Sequence, residues 1–239
     1  MIKTIFSFAY VIVTIIILFP IGIITVVLSF LGLRRLMARL IYRIGQAWAL
    51  ILIKVTGCTV TVKGRENIPK EGGVCFVSNH CGYFDIALLF AYCGRPIGFI
   101  AKKELSYIPF LNCWIYMIGG LFIDRSAVRK AVSTINKGVE RLKSGGGMII
   151  FPEGHRSRGK GLLSFRPGSL KLATMAKVPI VPIALEGSYE VYEKTYRVVS
   201  TALKVIFCEP INTEDLPPED RKVVLSDRIY SVIKEKLEI

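Results

Sequence analysis

The sequence predicts an α/β fold: a mostly parallel central sheet flanked by helices, preceded by an N-terminal two-helix membrane-anchoring motif. Three observations carry this. Residues 4–33 are almost wholly apolar. From Gly57 onward, short apolar runs alternate with helical periodicities, the pattern of βα units. Several of those runs end in a charged residue or a histidine, as strands do at the binding edge of a parallel sheet. A chain of 239 residues holds one full α/β domain and an appendage, divided here at 1–56 and 57–239.

The composition fits a lipid-facing protein. Hydrophobic residues make up 52% and mean hydropathy is +0.48, with the excess at the N-terminus. The net charge is +14. Residues 1–56 hold six basic residues and no acidic one, and the remainder is also basic. Such a balance calls for a polyanionic partner: nucleic acid, an anionic membrane or a phosphorylated substrate. With no helix-turn-helix, zinc-finger or RNA-recognition signature, nucleic acid is the partner the sequence argues against. The six cysteines show no CxxC spacing and several lie in apolar runs, so they read as reduced, buried thiols on the cytosolic side of a membrane.

In the first segment the apolar run is too long for a signal peptide and lacks a small-residue cleavage site. It is long enough to span a bilayer. Leu33 to Lys54 form a second helical pattern, with Arg35, Arg39 and Arg43 on one face and Leu36, Leu40, Ile44, Ala47 and Ile51 on another. A helix of that kind lies among headgroups, arginines on phosphates and apolar face among acyl chains. The Leu31-Gly32-Leu33 link lets the pair fold back as a hairpin dipping into one leaflet, with a true span as the competing arrangement. Arg34, Arg35 and Arg39 outweigh Lys3, which puts the following domain in the cytoplasm.

The later elements follow in order. Cys58–Val62 alternates as a strand, and Val74 opens an apolar strand that runs into Ser78, Asn79 and His80. Asp85–Tyr92 is an apolar helix. Pro96–Ala101 is a strand ending at Lys102, and Leu105–Met117 a helix broken near Pro109. Gly119 to Arg125 forms a strand, and a helix capped by Ser126 reaches Lys143. Gly147 to Glu153 is a strand that empties into a Gly- and Arg-rich loop, residues 154–168. A short helix (169–176), strands at 179–185 and 201–208, and a closing amphipathic helix (219–238) complete the chain.

In a mainly parallel sheet, His80, Lys102, Arg125, and Glu153 with Arg156 share one crevice. Asp85 follows His80 by five residues, and across a loop it leans back onto the ring. There it fixes the tautomer and leaves the other ring nitrogen free as a base. The competing reading is a capping Asp beside an unrelated buried His. The loop after Glu153 offers Arg156, Arg158 and Lys160, with Arg166 and Lys171 close behind. Guanidinium groups match phosphate bidentately and glycines admit backbone N–H donors. The Walker spacing is absent, so this is not a nucleotide P-loop.

Four blocks now stand in order: Asn79-His80-xxxx-Asp85, Gly120-Leu-Phe-Ile-Asp124-Arg125, Phe151-Pro-Glu153-Gly154-His155-Arg156-Ser157 and Val178-Pro-Ile-Val-Pro-Ile183. Together with Ala101-Lys102-Lys103-Glu104-Leu105, they resemble the glycerolipid acyltransferases, most of all the bacterial 1-acyl-sn-glycerol-3-phosphate acyltransferases. The resemblance spans roughly residues 58–187. In one departure, His155 stands where the family usually has Thr.

The resemblance implies transfer of a fatty acyl group from acyl-CoA or acyl carrier protein to the sn-2 hydroxyl of lysophosphatidic acid. This would occur at the cytoplasmic face of the cell inner membrane, among membrane lipids. His80 would be the base and Asp85 its orienting carboxylate. Lys102, or backbone N–H groups near Gly82, would face the thioester oxyanion. The family pattern assigns Arg125, Glu153, Gly154 and Arg156 to the acceptor's glycerol phosphate. On physical grounds Glu153 suits orienting an arginine or accepting from a hydroxyl. No cofactor is implied, and two isolated histidines with unclustered cysteines make a poor metal set. Cys81, beside His80, raises an acyl-enzyme route, and His155 is a rival base without a carboxylate at the right spacing. Glycerol 3-phosphate or another lysolipid is the alternative acceptor, and a non-catalytic phospholipid-binding protein the alternative class. An esterase is disfavoured by the lack of Gly-x-Ser-x-Gly.

Overall fold

The computed structural model describes residues 1–124, 126–166, 168–213 and 224–237. Its first element is α1, Ile2–Ile17, followed after a bend at Leu18 by α2, Phe19–Leu28, with Pro20 in the first turn of α2. The chain reverses at Leu31-Gly32, where Gly32 takes φ +89°, and returns as α3, Arg34–Thr56. The expected fold-back is therefore present. Tyr10 Oη donates to the Trp48 carbonyl (3.0 Å) and Trp48 Nε1 to Thr14 Oγ1 (2.8 Å), locking α1 to α3.

The third helix has three faces where the sequence suggested two. Leu36, Leu40 and Ile51 are exposed, as expected of a lipid-facing side. A separate set, including Met37, Ile41, Tyr42, Leu52 and Ile53, is buried. Tyr42 and Gln46 donate to the carbonyls of Phe90 and Ala91, on the helix α4, Asp85–Tyr92. The hairpin thus lies along the α/β domain and leaves its other flank, from Ile2 to Leu40, studded with exposed Ile, Phe, Val and Leu. One apolar stretch in Ile2–Thr56 is long enough to cross a membrane, which fits membrane association.

Among the described residues, seven strands form one sheet, ordered β1-β7-β6-β2-β5-β3-β4. They are β1 (Thr59–Lys63), β2 (Val74–Ser78), β3 (Ile97–Lys102), β4 (Leu121–Ile123), β5 (Gly147–Ile150), β6 (Ile180–Glu186) and β7 (Ala202–Phe207). From β6 to β4 the pairing is parallel throughout, whereas β7 is antiparallel to β6 and parallel to β1. The sheet is mostly parallel, as the sequence predicts. The central strand β2 is buried along its whole length. Its alternate side chains serve two layers: Val74 and Phe76 pack with α3 and α4, while Cys75 and Val77 face the opposite layer. That layer holds α6 (Val128–Lys143), α7 (Lys171–Ala176) and α9 (Val224–Lys236).

Two expectations need correction. The stretch 105–117 is not a single broken helix; a 3₁₀ turn, Lys103–Tyr107, precedes α5, Leu111–Met117, and Phe110 sits between them at φ +62°. Ser126 does not cap α6, because its hydroxyl and N–H both turn back to Asp124 Oδ1. Residues 219–223 and 238 of the closing helix lie outside the described residues.

Candidate active site

The polypeptide leaves β2 at Ser78 and reaches His80 two residues later. Asn79 is fixed first: its side-chain amide donates to the Leu185 carbonyl and accepts from Leu185 N–H, both at 2.8 Å. That two-way pairing bolts the turn to β6. The His80 backbone is then held from the β5 side. Its N–H donates to Glu153 Oε1 (2.7 Å) and its carbonyl accepts from Ser157 N–H (2.7 Å). Phe151 stacks on the imidazole, centroids 4.0 Å apart.

Asp85 occupies the first turn of α4 and is fully buried. Its Oδ2 lies 2.6 Å from His80 Nδ1 and accepts from the N–H groups of Cys81 (2.7 Å) and Gly82 (3.0 Å). Oδ1 accepts from the buried Ser188 hydroxyl at the start of α8, Ser188–Val191. The capping reading fails, because α4 has no side-chain cap: Asp85 instead ties down the turn before the helix and holds the imidazole. Fixing Nδ1 leaves Nε2 without a hydrogen bond among the described residues, on a side chain still 18% exposed. An imidazole bonded to a carboxylate through one nitrogen presents the other to a substrate.

The same bonds exclude one expectation. Backbone N–H groups near Gly82 do not face an incoming oxyanion, since those of Cys81 and Gly82 are taken by Asp85 and that of Tyr83 by Glu193 Oε1. Lys102, at the end of β3, is exposed, and its ammonium makes no hydrogen bond among the described residues. Its neighbour Lys103 pairs with Asp124 at 2.9 Å.

Glu153 is buried, and burial raises its carboxyl to about 7 against the two backbone donors, from His80 and Leu163, that lower it. Its carboxylate makes no hydrogen bond or ion pair with a guanidinium among the described residues; Arg166 Nε bonds its backbone carbonyl instead (3.2 Å). The arginine-orienting role expected of it falls instead to Glu193, whose Oε1 accepts from Arg156 Nη1 at 3.0 Å. Arg156 also lies over the Tyr83 ring, 3.6 Å from its centroid. Gly154 takes φ +76°, and a Cβ there would strike the Arg166 side chain. Arg125 lies outside the described residues.

The rivals fare poorly. Burial, with Asp85 and Glu153 nearby, pushes the Cys81 thiol up to about 12, so it stays protonated and a weak nucleophile. His155 is exposed, its ring 3.5 Å from Arg166, and no carboxylate bonds it among the described residues.

A family model described as Acyltransferase matches residues 59–186, from the first strand to the last residue of β6. The chain belongs to the acyltransferase family. Among similar acyltransferases is the 1-acyl-sn-glycerol-3-phosphate acyltransferase of Borreliella burgdorferi, 31% identical over 84% of this chain and 80% of that protein. The enzyme of the same name from Saccharomyces cerevisiae is 34% identical over 67% of this chain, a match spanning 54% of the yeast protein's length. The crystal structure of the 1-acyl-sn-glycerophosphate acyltransferase PlsC from Thermotoga maritima superposes with a TM-score of 0.82. It is 27% identical and the match covers 99% of this chain and 95% of that one.

Sequence reasoning gave no role to Ser188, Phe151, Tyr83 or Glu193. Ser188 was within reach, because it directly follows a parallel strand at the edge that flagged His80 and Glu153. Glu193 had no local signal: it sits among tyrosines beyond α8, and only the tertiary fold brings it to Arg156.

Proposed function

We infer that this acyltransferase moves a fatty acyl group from an acyl thioester to the sn-2 hydroxyl of 1-acyl-glycerol 3-phosphate, giving phosphatidic acid for phospholipid synthesis. The observation that carries the reading is the His80 imidazole, bonded through Nδ1 to buried Asp85 and open at Nε2, in a crevice whose Arg156 is already aimed and held. The acceptor for which the relatives are named supports the same reading.

In this mechanism Nε2 removes the hydroxyl proton as the oxygen attacks the thioester carbonyl, and Asp85 stabilises the imidazolium that forms. Lys102 faces the developing oxyanion. Collapse of the tetrahedral intermediate breaks the C–S bond, and the imidazolium returns its proton to the leaving thiolate. No acyl-enzyme forms and no cofactor is required. Arg156, with Arg125, takes the acceptor's phosphate. Glu153 and Gly154 shape the floor beneath it, Glu153 through the His80 backbone. The donor is acyl-CoA or acyl carrier protein.

The anchor, residues 1–56, dips into the cytoplasmic leaflet of the cell inner membrane beside the α/β acyltransferase domain, 57–239. Packing along the domain favours this over a span. Trp114 Nε1 bonds the Ile15 carbonyl (2.9 Å) and Phe19 meets Phe110 edge-on. Between α2, α5 and β4 runs an apolar groove of about 410 Å³, lined by residues such as Ile23, Val27, Met117 and Phe122, suited to hydrocarbon.

The test is an acyl-transfer assay in detergent micelles with lysophosphatidate and each donor type. Phosphatidate formed with at least one donor is the expected result. Transfer to glycerol 3-phosphate alone would move the acceptor assignment, and no transfer to either would remove the enzymatic reading.

A further inference from the structure

We propose that Glu193 is the positioning residue that aims Arg156 at the acceptor's phosphate, a role that rests on the acceptor reading above. Three contacts close a triangle. Glu193 Oε1 accepts from Tyr83 N–H (2.8 Å) and from Arg156 Nη1 (3.0 Å), and the Arg156 guanidinium lies 3.6 Å above the Tyr83 ring centroid. The carboxylate therefore holds both the guanidinium and the backbone of the ring on which it rests. An arginine left alone samples many rotamers; here one edge is fixed and the remaining N–H groups keep a constant direction. The pair is largely enclosed, with side-chain exposures of 20% for Arg156 and 10% for Glu193.

The charge balance argues for aim over attraction. A site built only to attract phosphate gains nothing from a carboxylate on its arginine, since the anion there offsets the cation's field. Glu193 nevertheless occupies a costly place: burial raises its carboxyl above the ordinary range, against the lowering by Tyr83 N–H and Arg156. Its Oε2 is buried without a hydrogen-bond partner among the described residues and packs so closely on Gly82 that a Cβ there would lie 2.8 Å away. Glycine at 82 makes room for this carboxylate. A group retained against desolvation and unsatisfied polarity, with an arginine on its other oxygen, serves geometry.

The experiment compares Glu193→Ala and Glu193→Gln in steady-state kinetics with lysophosphatidate. Glu193→Ala frees the guanidinium, and loss of a charge-assisted bond raises the acceptor KM by roughly 10- to 100-fold, with kcat and donor KM near wild type. Glu193→Gln keeps a carbonyl oxygen for both donors and removes the negative charge, so its acceptor KM returns to the wild-type value or falls below it. A fall in kcat at unchanged acceptor KM would overturn the proposal, because Glu193 would then act through the 81–84 turn and His80. A Gln variant no better than Ala would overturn it too. Should Glu193→Ala fail to fold, Tyr83→Ala removes the ring while keeping the N–H and carries the same expectation for acceptor KM. Wild-type enzyme that makes no phosphatidate would sink the acceptor reading instead. The variants are then compared by equilibrium titration with glycerol 3-phosphate, where binding weakened by Ala and kept by Gln supports the aiming role and equal binding defeats it.

Discussion

On the β2 side of the crevice, His80 has its N–H on Glu153, its carbonyl on Ser157, its Nδ1 on Asp85 and its ring against Phe151. On the opposite side, Arg156 has one edge on Glu193 and one face on Tyr83, and the loop beyond it runs through exposed Arg158, Gly159 and Lys160. The first side is over-determined, and the second is aimed but open. In the proposed mechanism the difference follows from what each must do. Proton transfer needs a nitrogen within hydrogen-bond reach of one hydroxyl, where a displacement of about 1 Å can cost on the order of 100-fold. A phosphate presents several equivalent oxygens, so one guanidinium held in a constant direction is enough to meet it.

The largest effect that would break this contrast is at the ring itself. His80→Ala should lower kcat by about 100- to 10,000-fold, with acceptor KM changed little, whereas Cys81→Ala should retain activity. The reverse ranking, measured in the same micellar assay, would replace the general base with an acyl-enzyme. Next comes Arg156→Ala, expected to lower kcat/KM roughly 10- to 100-fold, mainly through acceptor KM. A loss confined to kcat would erase the division of labour between the two sides.

The smallest and most diagnostic effect concerns pH. Glu153 is raised from its ordinary 4.5 to about 7 in the fold, so the folded state binds the extra proton between those values. Stability should therefore be highest below about pH 4.5 as far as this group is concerned, and fall as pH rises through 7. The loss is no more than about 3 kcal/mol. Urea unfolding of wild type and Glu153→Gln between pH 5 and 8 checks this; equal slopes would mean that Glu153 does not titrate in that window.

Much of the fold was legible because its signals are local. The strand–turn–helix from Val74 to Tyr92 announces itself by an apolar run, glycine and a second apolar run, and it is present at β2 and α4. The hairpin followed from glycine between two greasy segments, and Gly32 does take positive φ. What escaped was set mostly by contacts distant in sequence, and in one case by a near neighbour. The inner face of α3 was invisible because α4, which covers it, comes later in the chain. Glu153 was expected on an arginine, yet the backbone N–H groups of His80 and Leu163 reach its oxygens first. Ser126 read as a helix cap until Asp124, two residues away, claimed its hydroxyl.

The hairpin's lengthwise docking bears on the energetics of substrate supply. Drawing a long-chain lipid out of a bilayer costs about 0.8 kcal/mol for each methylene brought into water, more than a single crevice recovers from one headgroup. With α1 and α2 lying in the leaflet as proposed, and an apolar trough between α2 and the sheet's β4 edge, hydrocarbon passes from lipid to protein without crossing water. Desorption then drops out of the cycle, and the reaction becomes a lateral exchange within one oily phase.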